Sequence, residues 1–484
     1  MRALGEGEQF SGVAALFPSG LGRLVYTGTI QGADDAGRVR RGRSPEARGF
    51  MTRRRAFRFG FYGPALAAIL LLVVQGGALS FQGSSPLSAA PGPYPDRIIL
   101  TWSADPSTTM SVTWRTDTSV SEAFAEVAEA DDGPDFGKKA RRVQATTERY
   151  ETNTGPAHSH SVTFTGLRPG GIYLYRVGAG KHWSEWNQFR TAGRPGEPLT
   201  FLYLGDVQSE IYSLWSRVIR RAFAAAPDAR FIVYAGDLIN NNDRDEQWGE
   251  FHAGAGFIHR MLPVLAAPGN HEYSLSDRRI SVNWRPQFTF PMNGPTGLEE
   301  TCYYLDIQDV RLVVLNSVVH RSEQAGWLEK VLSGSSHRWK IAVFHHPIYS
   351  SARGRNNKEL RELWQPLFDK YGVDLVLQGH DHTYARTGPR RFDGPARDGG
   401  GTVYVNSVSG AKMYALDPHD VFERVAEDTQ LFQVIRIEGD RLSFEAHTAT
   451  GTLYDAFQLR KRADGKNEFR SLAPASAPRR RKAA

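Results

Sequence analysis

The chain has 484 residues, 40% of them apolar and 23% charged, with a single cysteine, Cys302. That length leaves room for two or three domains, the composition excludes wholesale disorder, collagen and coiled coil, and one cysteine excludes an intrachain disulfide framework. The formal charge of +7 belongs to the N-terminal end: residues 1–80 hold 11 Lys and Arg against 5 Asp and Glu, while residues 81–484 hold 48 against 47, so the net charge gives no support for a nucleic-acid partner.

Residues 1–50 show no sustained apolar period and are rich in Gly and Arg; they read as a non-native or disordered extension. Met51 begins a different pattern. Arg53, Arg54 and Arg55 form a cationic start, residues 64–74 are apolar without a charge, and Ala78-Leu79-Ser80 has the small-x-small form of a cleavage site. Residues 51–80 therefore read as an export signal, with an uncleaved membrane anchor as the alternative, since the apolar run falls short of the ~20 residues of a spanning helix. Arg54-Arg55-Ala56-Phe57 resembles the twin-arginine export motif, a route taken by folded, metal-loaded proteins. The expectation is a periplasmic or extracellular protein whose true start is Met51.

From about residue 91 to 192 the chain shows short β-type runs divided by turn residues: 97–102, the strictly alternating 110–114, then 124–128, 159–164, 172–177 and 186–190. Helix signals are lacking, which predicts an all-β sandwich. His158 and His160 stand two apart in a polar stretch and read as solvent-facing histidines. Ser111-Val112-Thr113-Trp114, Gly166-Leu167-Arg168-Pro169 before Tyr173 and Tyr175, and Phe189-Arg190-Thr191 resemble a fibronectin type III-like domain. Taken alone, this domain would support a binding or spacer role. Cys302, further on, reads as a buried small hydrophobe.

The pattern changes after Gly193-Arg194-Pro195-Gly196. Over residues 198–460, continuous apolar runs typical of buried strands alternate with helical spacings at 211–225, 246–261, 323–332 and 359–371. Five runs lead into a polar residue suited to hold metal: Asp206, Asp237, Asn270, His345 and His380. Strand ends along one edge of an α/β sheet are where sites form. Each Gly-Asp alone is an ordinary turn; the joint occurrence is specific, above all Gly379-His380-Asp381-His382, whose alternate histidines can reach one site. Carboxylates with imidazoles suit first-row metals, and two such ions can clamp a phosphoryl group. Neither a Gly-x-x-x-x-Gly-Lys-Ser/Thr loop nor a Gly-x-Ser-x-Gly elbow occurs in this block. A basic tail is expected over residues 471–484, ending Arg479-Arg480-Arg481-Lys482 before two alanines.

This order of motifs, with His380 to Arg386 (His-Asp-His-Thr-Tyr-Ala-Arg) and Gln324-Ala325-Gly326-Trp327-Leu328, resembles the calcineurin-like metallophosphoesterases. With the sandwich in front, it resembles their purple acid phosphatase branch. The resemblance covers roughly residues 91–460. It implies an α/β fold, a four-layer α/β/β/α sandwich, after the β domain, and two first-row metal ions (Fe, Mn or Zn). It implies that Asp206 and His382 hold the first metal, that Asp237 bridges, and that Asn270, His345 and His380 hold the second. His271 would orient the phosphate and protonate the leaving oxygen, and a metal-bridging hydroxide would attack. His345 is preferred to His346 because the family pattern is His-x-Pro. The implied partner is a small phosphate ester substrate, with no nucleic acid and no membrane contact beyond an uncleaved N-terminal segment.

Two positions depart from the family. The tyrosine expected three residues after Asp237 is Asn240, and the histidine that other branches place two after the first aspartate is Gln208. Either side chain offers a neutral oxygen to the first metal, which predicts a colourless or faintly coloured protein with a labile first metal. A third departure follows His345-His346-Pro347: residues 349–361 hold no histidine but carry Arg353, Arg355, Asn356, Asn357 and Lys358, either a phosphate contact or an exposed basic loop. The expectation is an exported phosphoesterase acting on phosphate monoesters. The alternatives are a diesterase on the same scaffold and a metal-poor binding protein.

Overall fold

The computed structural model describes residues 90–397, 399–417 and 420–474. The expected extension at 1–50, the expected export signal at 51–80, and residues 475–484 of the expected tail lie outside the described residues. The described residues belong to one compact unit.

The first domain contains the predicted short strands and three that the sequence pattern did not mark, Arg141–Gln144, Thr146–Thr152 and His182–Trp183. Asp96–Thr101, Met110–Thr116, Gly155–Phe164 and Thr146–Thr152 pair in that order, each antiparallel to its neighbour. Across from them, Phe124–Glu129 pairs with Arg141–Gln144 and with Ile172–Ala179, which also takes Asn187–Arg190. Alternation decides which side chains meet between the sheets: Val112, Trp114, Val162 and Phe164 are buried with Val127, Tyr175, Val177 and Phe189.

Two larger sheets build the second domain. Leu199–Leu204, Ile232–Ala235 and Val264–Ala267 run parallel, with Leu431–Glu438, Arg441–Thr448, Leu453–Lys461 and Asn467–Ser471 added antiparallel on the far side. The other sheet runs Tyr303–Ile307, Val310–Val314, Trp339–Val343, Leu375–Gln378, Val403–Asn406, Tyr384–Thr387 and Phe422–Ala426. Its side chains alternate between two cores, as a period of two requires. Ile341, Val343, Leu375 and Leu377 join Phe201, Tyr203 and Val233 between the sheets. Ala342, Phe344 and Val376 face the helices Glu323–Ser333 and Lys358–Tyr371 through Leu328, Leu332, Trp364 and Phe368. On the outer side of the first sheet lie the helices Ser216–Ala225 and Asp245–Ala255. The four-layer α/β/β/α order results.

Several boundaries differ from expectation. The predicted helix at 246–261 is two helices, because Gly256 at φ 59° breaks it. The predicted helix at 211–225 starts as a wide π-type turn over Ile211–Trp215. The sheet does not end at residue 460 but continues to Ser471, and Leu472 N–H still donates to the Ala456 carbonyl, so residues 471–474 are not part of a free tail. Nor is the linker at 193–196 a seam. Thr101 pairs parallel with Val264, so the sandwich extends the first sheet of the second domain. A buried ion cluster reinforces the junction: Arg97 Nη1 and Arg115 Nη1 lie 2.6 and 2.9 Å from the two oxygens of Asp245.

His160 is not solvent-facing. It is fully buried against the Trp114 ring, between the hydroxyls of Thr116 and Thr147 at 2.7 and 2.9 Å. His158 is half-buried, with Nδ1 2.7 Å from the Val120 carbonyl oxygen. Cys302 is buried and free, as expected. No helix of the described residues is long and apolar enough to cross a membrane.

Candidate metal centre

Five strands deliver their following residues to one place. Asp206 follows Leu199–Leu204, Asp237 follows Ile232–Ala235, Asn270 follows Val264–Ala267, His345 follows Trp339–Val343, and His380 and His382 follow Leu375–Gln378. The turns are tight and costly. Asp206, Asp237, His380 and His382 have φ of 47°, 53°, 75° and 47°, the left-handed region that non-glycine residues rarely adopt and that clusters at functional sites. Gly379 is required for close approach, since a Cβ there would stand 2.5 Å from Asp206 Oδ2.

Asp237, His345 and His380 offer ligand atoms that all lie within 4.8 Å of one another. His345 Nδ1 donates to the Ala235 carbonyl at 2.8 Å. That contact leaves the Nε2 lone pair facing Asp237 Oδ2 at 3.1 Å, Asn270 Oδ1 at 3.2 Å and His380 Nδ1 at 3.1 Å. Acceptor atoms converging in a buried place call for a cation between them. Burial opposes the charge on His345, but Asp237 and Asp206 outweigh it and push the imidazole up to about 9. Burial likewise opposes charge on Asp237, and the His345 imidazolium outweighs it and holds that carboxylate well below its ordinary range. His380 is driven far below the usual histidine range by burial and by the neighbouring His346 and His345. The donor set fits a divalent metal.

Asp206, Asp237 and His382 form a second cluster on the same criterion. His382 Nδ1 donates to the Lys412 carbonyl at 2.7 Å, so Nε2 faces inward, 3.5 Å from Asp206 Oδ1. Burial lowers His382 to about 3 and keeps it neutral, as a ligand imidazole must be. Asp206 is raised well above its ordinary range by burial, partly offset by His345. Gln208 is fully buried here, its amide nitrogen 2.9 Å from both Asp237 Oδ2 and His382 Nε2.

Asn240, the other candidate, points elsewhere. Its side-chain oxygen lies 3.5 Å from Ser209 Oγ, and it lines a hollow of about 490 Å³ with Glu210, Tyr212, Gln247 and Glu250. Its backbone carbonyl does enter the site, accepting from His271 Nδ1 at 2.6 Å. His271 Nε2 then stands 3.9 Å from Asp237 Oδ2, with the side chain a quarter exposed.

The supporting residues carry little sequence signal. Glu272, buried, accepts the backbone N–H groups of Gly269, Asp237, Leu238 and Ile239 at 2.6, 3.0, 2.7 and 3.4 Å; an acid beside a candidate ligand was the only clue. His346 packs against His380 with ring centres 4.2 Å apart and planes tilted by 45°, its Nδ1 2.9 Å from Ser317 Oγ, so it supports the His380 ring, while His345 faces the carboxylates. Arg355 is not a free basic-loop residue: its guanidinium donates to the His380 carbonyl at 2.8 Å and lies over the Tyr414 ring. Asn357 is tied to the Pro347 carbonyl at 2.8 Å. Arg353 and Asn356 are exposed, and Lys358 pairs with Glu362 at 3.5 Å on its own helix.

Comparison with known proteins agrees with this arrangement. Residues 95–191 match the family described as purple acid phosphatase, N-terminal domain, and residues 199–384 match calcineurin-like phosphoesterase. The chain is 26% identical to probable purple acid phosphatase 20 of Arabidopsis thaliana, over 72% of this chain and 84% of that one. It is 26% identical to acid phosphatase type 7 of Homo sapiens, over the same shares. Among solved structures it resembles the purple acid phosphatase PPD1 of yellow lupin (Lupinus luteus), with a TM-score of 0.67 at 20% identity over 77% of this chain and 75% of that one. It also resembles PhoD, with a TM-score of 0.57 at 14% identity over 80% and 94%. These two likenesses are of fold.

Proposed function

Because the chain is a purple acid phosphatase-like metallophosphoesterase with an N-terminal β domain, a metal-dependent phosphoric ester hydrolase, we propose that it hydrolyses small phosphate monoesters at a dinuclear centre. The observation that carries this reading is that Asn270 Oδ1 and Asp237 Oδ2 both lie within 3.2 Å of His345 Nε2, with His345 Nδ1 already committed to a backbone carbonyl. Asp206 and His382 would hold one ion and Asn270, His345 and His380 the other, with Asp237 shared by the two groups. When bound, such a pair supplies positive charge to the phosphoryl oxygens and lowers the pKa of water.

The chain's own groups do the rest. Arg355 fixes the His380 carbonyl and so the turn that carries both histidines. His271 is anchored at Nδ1 and keeps Nε2 on the open side of the site. As the oxygen of a water molecule bonds to phosphorus and the bond to the leaving oxygen breaks, His271 Nε2 would pass a proton to the leaving oxygen, and the proton released by the attacking water returns to solvent. The protein is colourless or faintly coloured, because Asn240 occupies the tyrosine position and turns its side chain toward Ser209. Residues 51–80 act as an export signal in this reading, and N-terminal sequencing of the native protein tests it: a mature chain that retains them refutes cleavage.

Metal content measured beside hydrolysis tests the function. About two ions per chain, with turnover of a chromogenic monoester abolished in Asp237→Asn, is the expected result. Faster turnover of a diester would reassign the substrate. Absence of both stoichiometric metal and turnover would overturn the reading in favour of a metal-poor binding protein.

A further inference from the structure

Gln208 has an unusual position for a neutral side chain. It is fully buried, and its amide nitrogen is shared between the Asp237 carboxylate and the His382 imidazole, at 2.9 Å from each. Both are acceptors toward it. Asp237 is ionised, and His382 presents a bare Nε2 because Nδ1–H goes to the Lys412 carbonyl. The two N–H bonds of the amide therefore neutralise the lone pairs that the Asp206–Asp237–His382 cluster would turn to an ion. The other end of the same amide is unsatisfied: Gln208 Oε1 is buried without a hydrogen-bond partner, a state that carries an uncompensated desolvation penalty. Nothing comparable holds at Asn240, whose side-chain oxygen meets Ser209.

We infer that Gln208 both stoppers the first metal site when it is empty and ligates the metal when it is filled, exchanging its amide nitrogen for its amide oxygen by a half-turn about the last side-chain bond. The exchange needs no backbone motion. With no ion, NH₂ inward is favoured, because oxygen inward would face the Asp237 carboxylate and the His382 lone pair. With an ion, the same position favours oxygen, and the orphaned Oε1 gains a partner. The stopper competes with the metal, so the first site fills after the second. A neutral amide oxygen also favours divalent over trivalent ions relative to an anionic oxygen ligand.

The inference rests on the dinuclear reading above, and the test separates the two. Mn²⁺ is titrated into the full-length, metal-stripped protein, with binding followed by calorimetry and by the electron paramagnetic resonance of free Mn²⁺. Wild type is expected to bind in two steps, tight then weak. Gln208→Met, of similar size, is expected to keep the tight step and weaken the second by about 10–100-fold. Gln208→Glu, which cannot donate to Asp237 but offers an anionic oxygen, is expected to tighten the second step, and it decides the question if the Met variant does not fold. In protein labelled with ¹⁵N at glutamine side chains and titrated with diamagnetic Zn²⁺ instead, one exchange-protected NH₂ pair, absent in Gln208→Glu, is expected to shift most during the second step. Unchanged second steps in both variants, or an NH₂ pair indifferent to metal, overturn the role of Gln208 and leave the dinuclear reading standing. A wild type that binds no Mn²⁺ overturns both.

Discussion

The Glu272 carboxylate accepts the backbone N–H of Asp237 at 3.0 Å, and through the same two oxygens it also holds Leu238, Ile239 and Gly269. One buried acid thus fixes the left-handed turn of Asp237 and the approach to Asn270. Glu272→Ala would leave these donors unpaired, at roughly 1–3 kcal/mol each for those that water cannot reach. We expect the metal-free protein to lose several kcal/mol in urea unfolding, about the size of one to two such groups, and the loaded protein to hold less metal. Glu272→Gln keeps one acceptor oxygen and should fall between. Equal stability of wild type and Glu272→Ala would refute this role.

His271 should matter in proportion to how badly the leaving group needs a proton. Its Nε2 is free to deliver one, being 3.9 Å from Asp237 while Nδ1 is held by Asn240. For His271→Gln we expect kcat on phenyl phosphate to fall about 10²–10⁴-fold, the usual contribution of a positioned acid. The loss on p-nitrophenyl phosphate should be smaller, since that leaving group departs as a stable anion. Equal losses on the two esters would assign His271 to phosphate orientation alone.

Asp245 lies between the guanidinium groups of Arg97 and Arg115 at the junction of the sandwich and the catalytic sheet. Removing a partner from a buried charged cluster leaves uncompensated charge and costs about 3–5 kcal/mol. Asp245→Ala should show that loss in urea unfolding, with the metal ligands untouched. A change below about 1 kcal/mol, the range of exposed pairs, would mean that water reaches the cluster.

His160 should make the protein acid-sensitive. Burial, with a smaller effect of His158, lowers its pKa from the ordinary 6.5 to about 4. The unfolded chain therefore binds a proton below pH 6.5 that the folded chain refuses. Stability is complete above that pH and falls on acidification to about pH 4, by about 1.4 kcal/mol per pH unit for one group. His160→Asn should flatten the unfolding free energy against pH by one proton over that window. Parallel curves for the two proteins would count against a neutral, buried His160.

The sequence determined what is local. Apolar runs ending in Asp206, Asp237, Asn270, His345 and His380 marked both the strands and the edge where ligands gather, because hydrophobic period and the residue after it are properties of a few consecutive positions. Alternation marked the sandwich strands in the same way. It could not show that Thr101 pairs with Val264 and joins the two domains in one sheet, or that Asn467–Ser471 continues that sheet, since pairing across such separations depends on packing of the whole. It left Gln208 and Asn240 equivalent as neutral oxygens. Tertiary structure separated them: the turn at Asp206 buries Gln208 between Asp237 and His382, while the turn after Asp237 directs the Asn240 side chain toward Ser209. It alone revealed the left-handed geometry of four candidate ligands and the Glu272 carboxylate that holds one of those turns, because such backbone conformations persist only where surrounding contacts over-determine them.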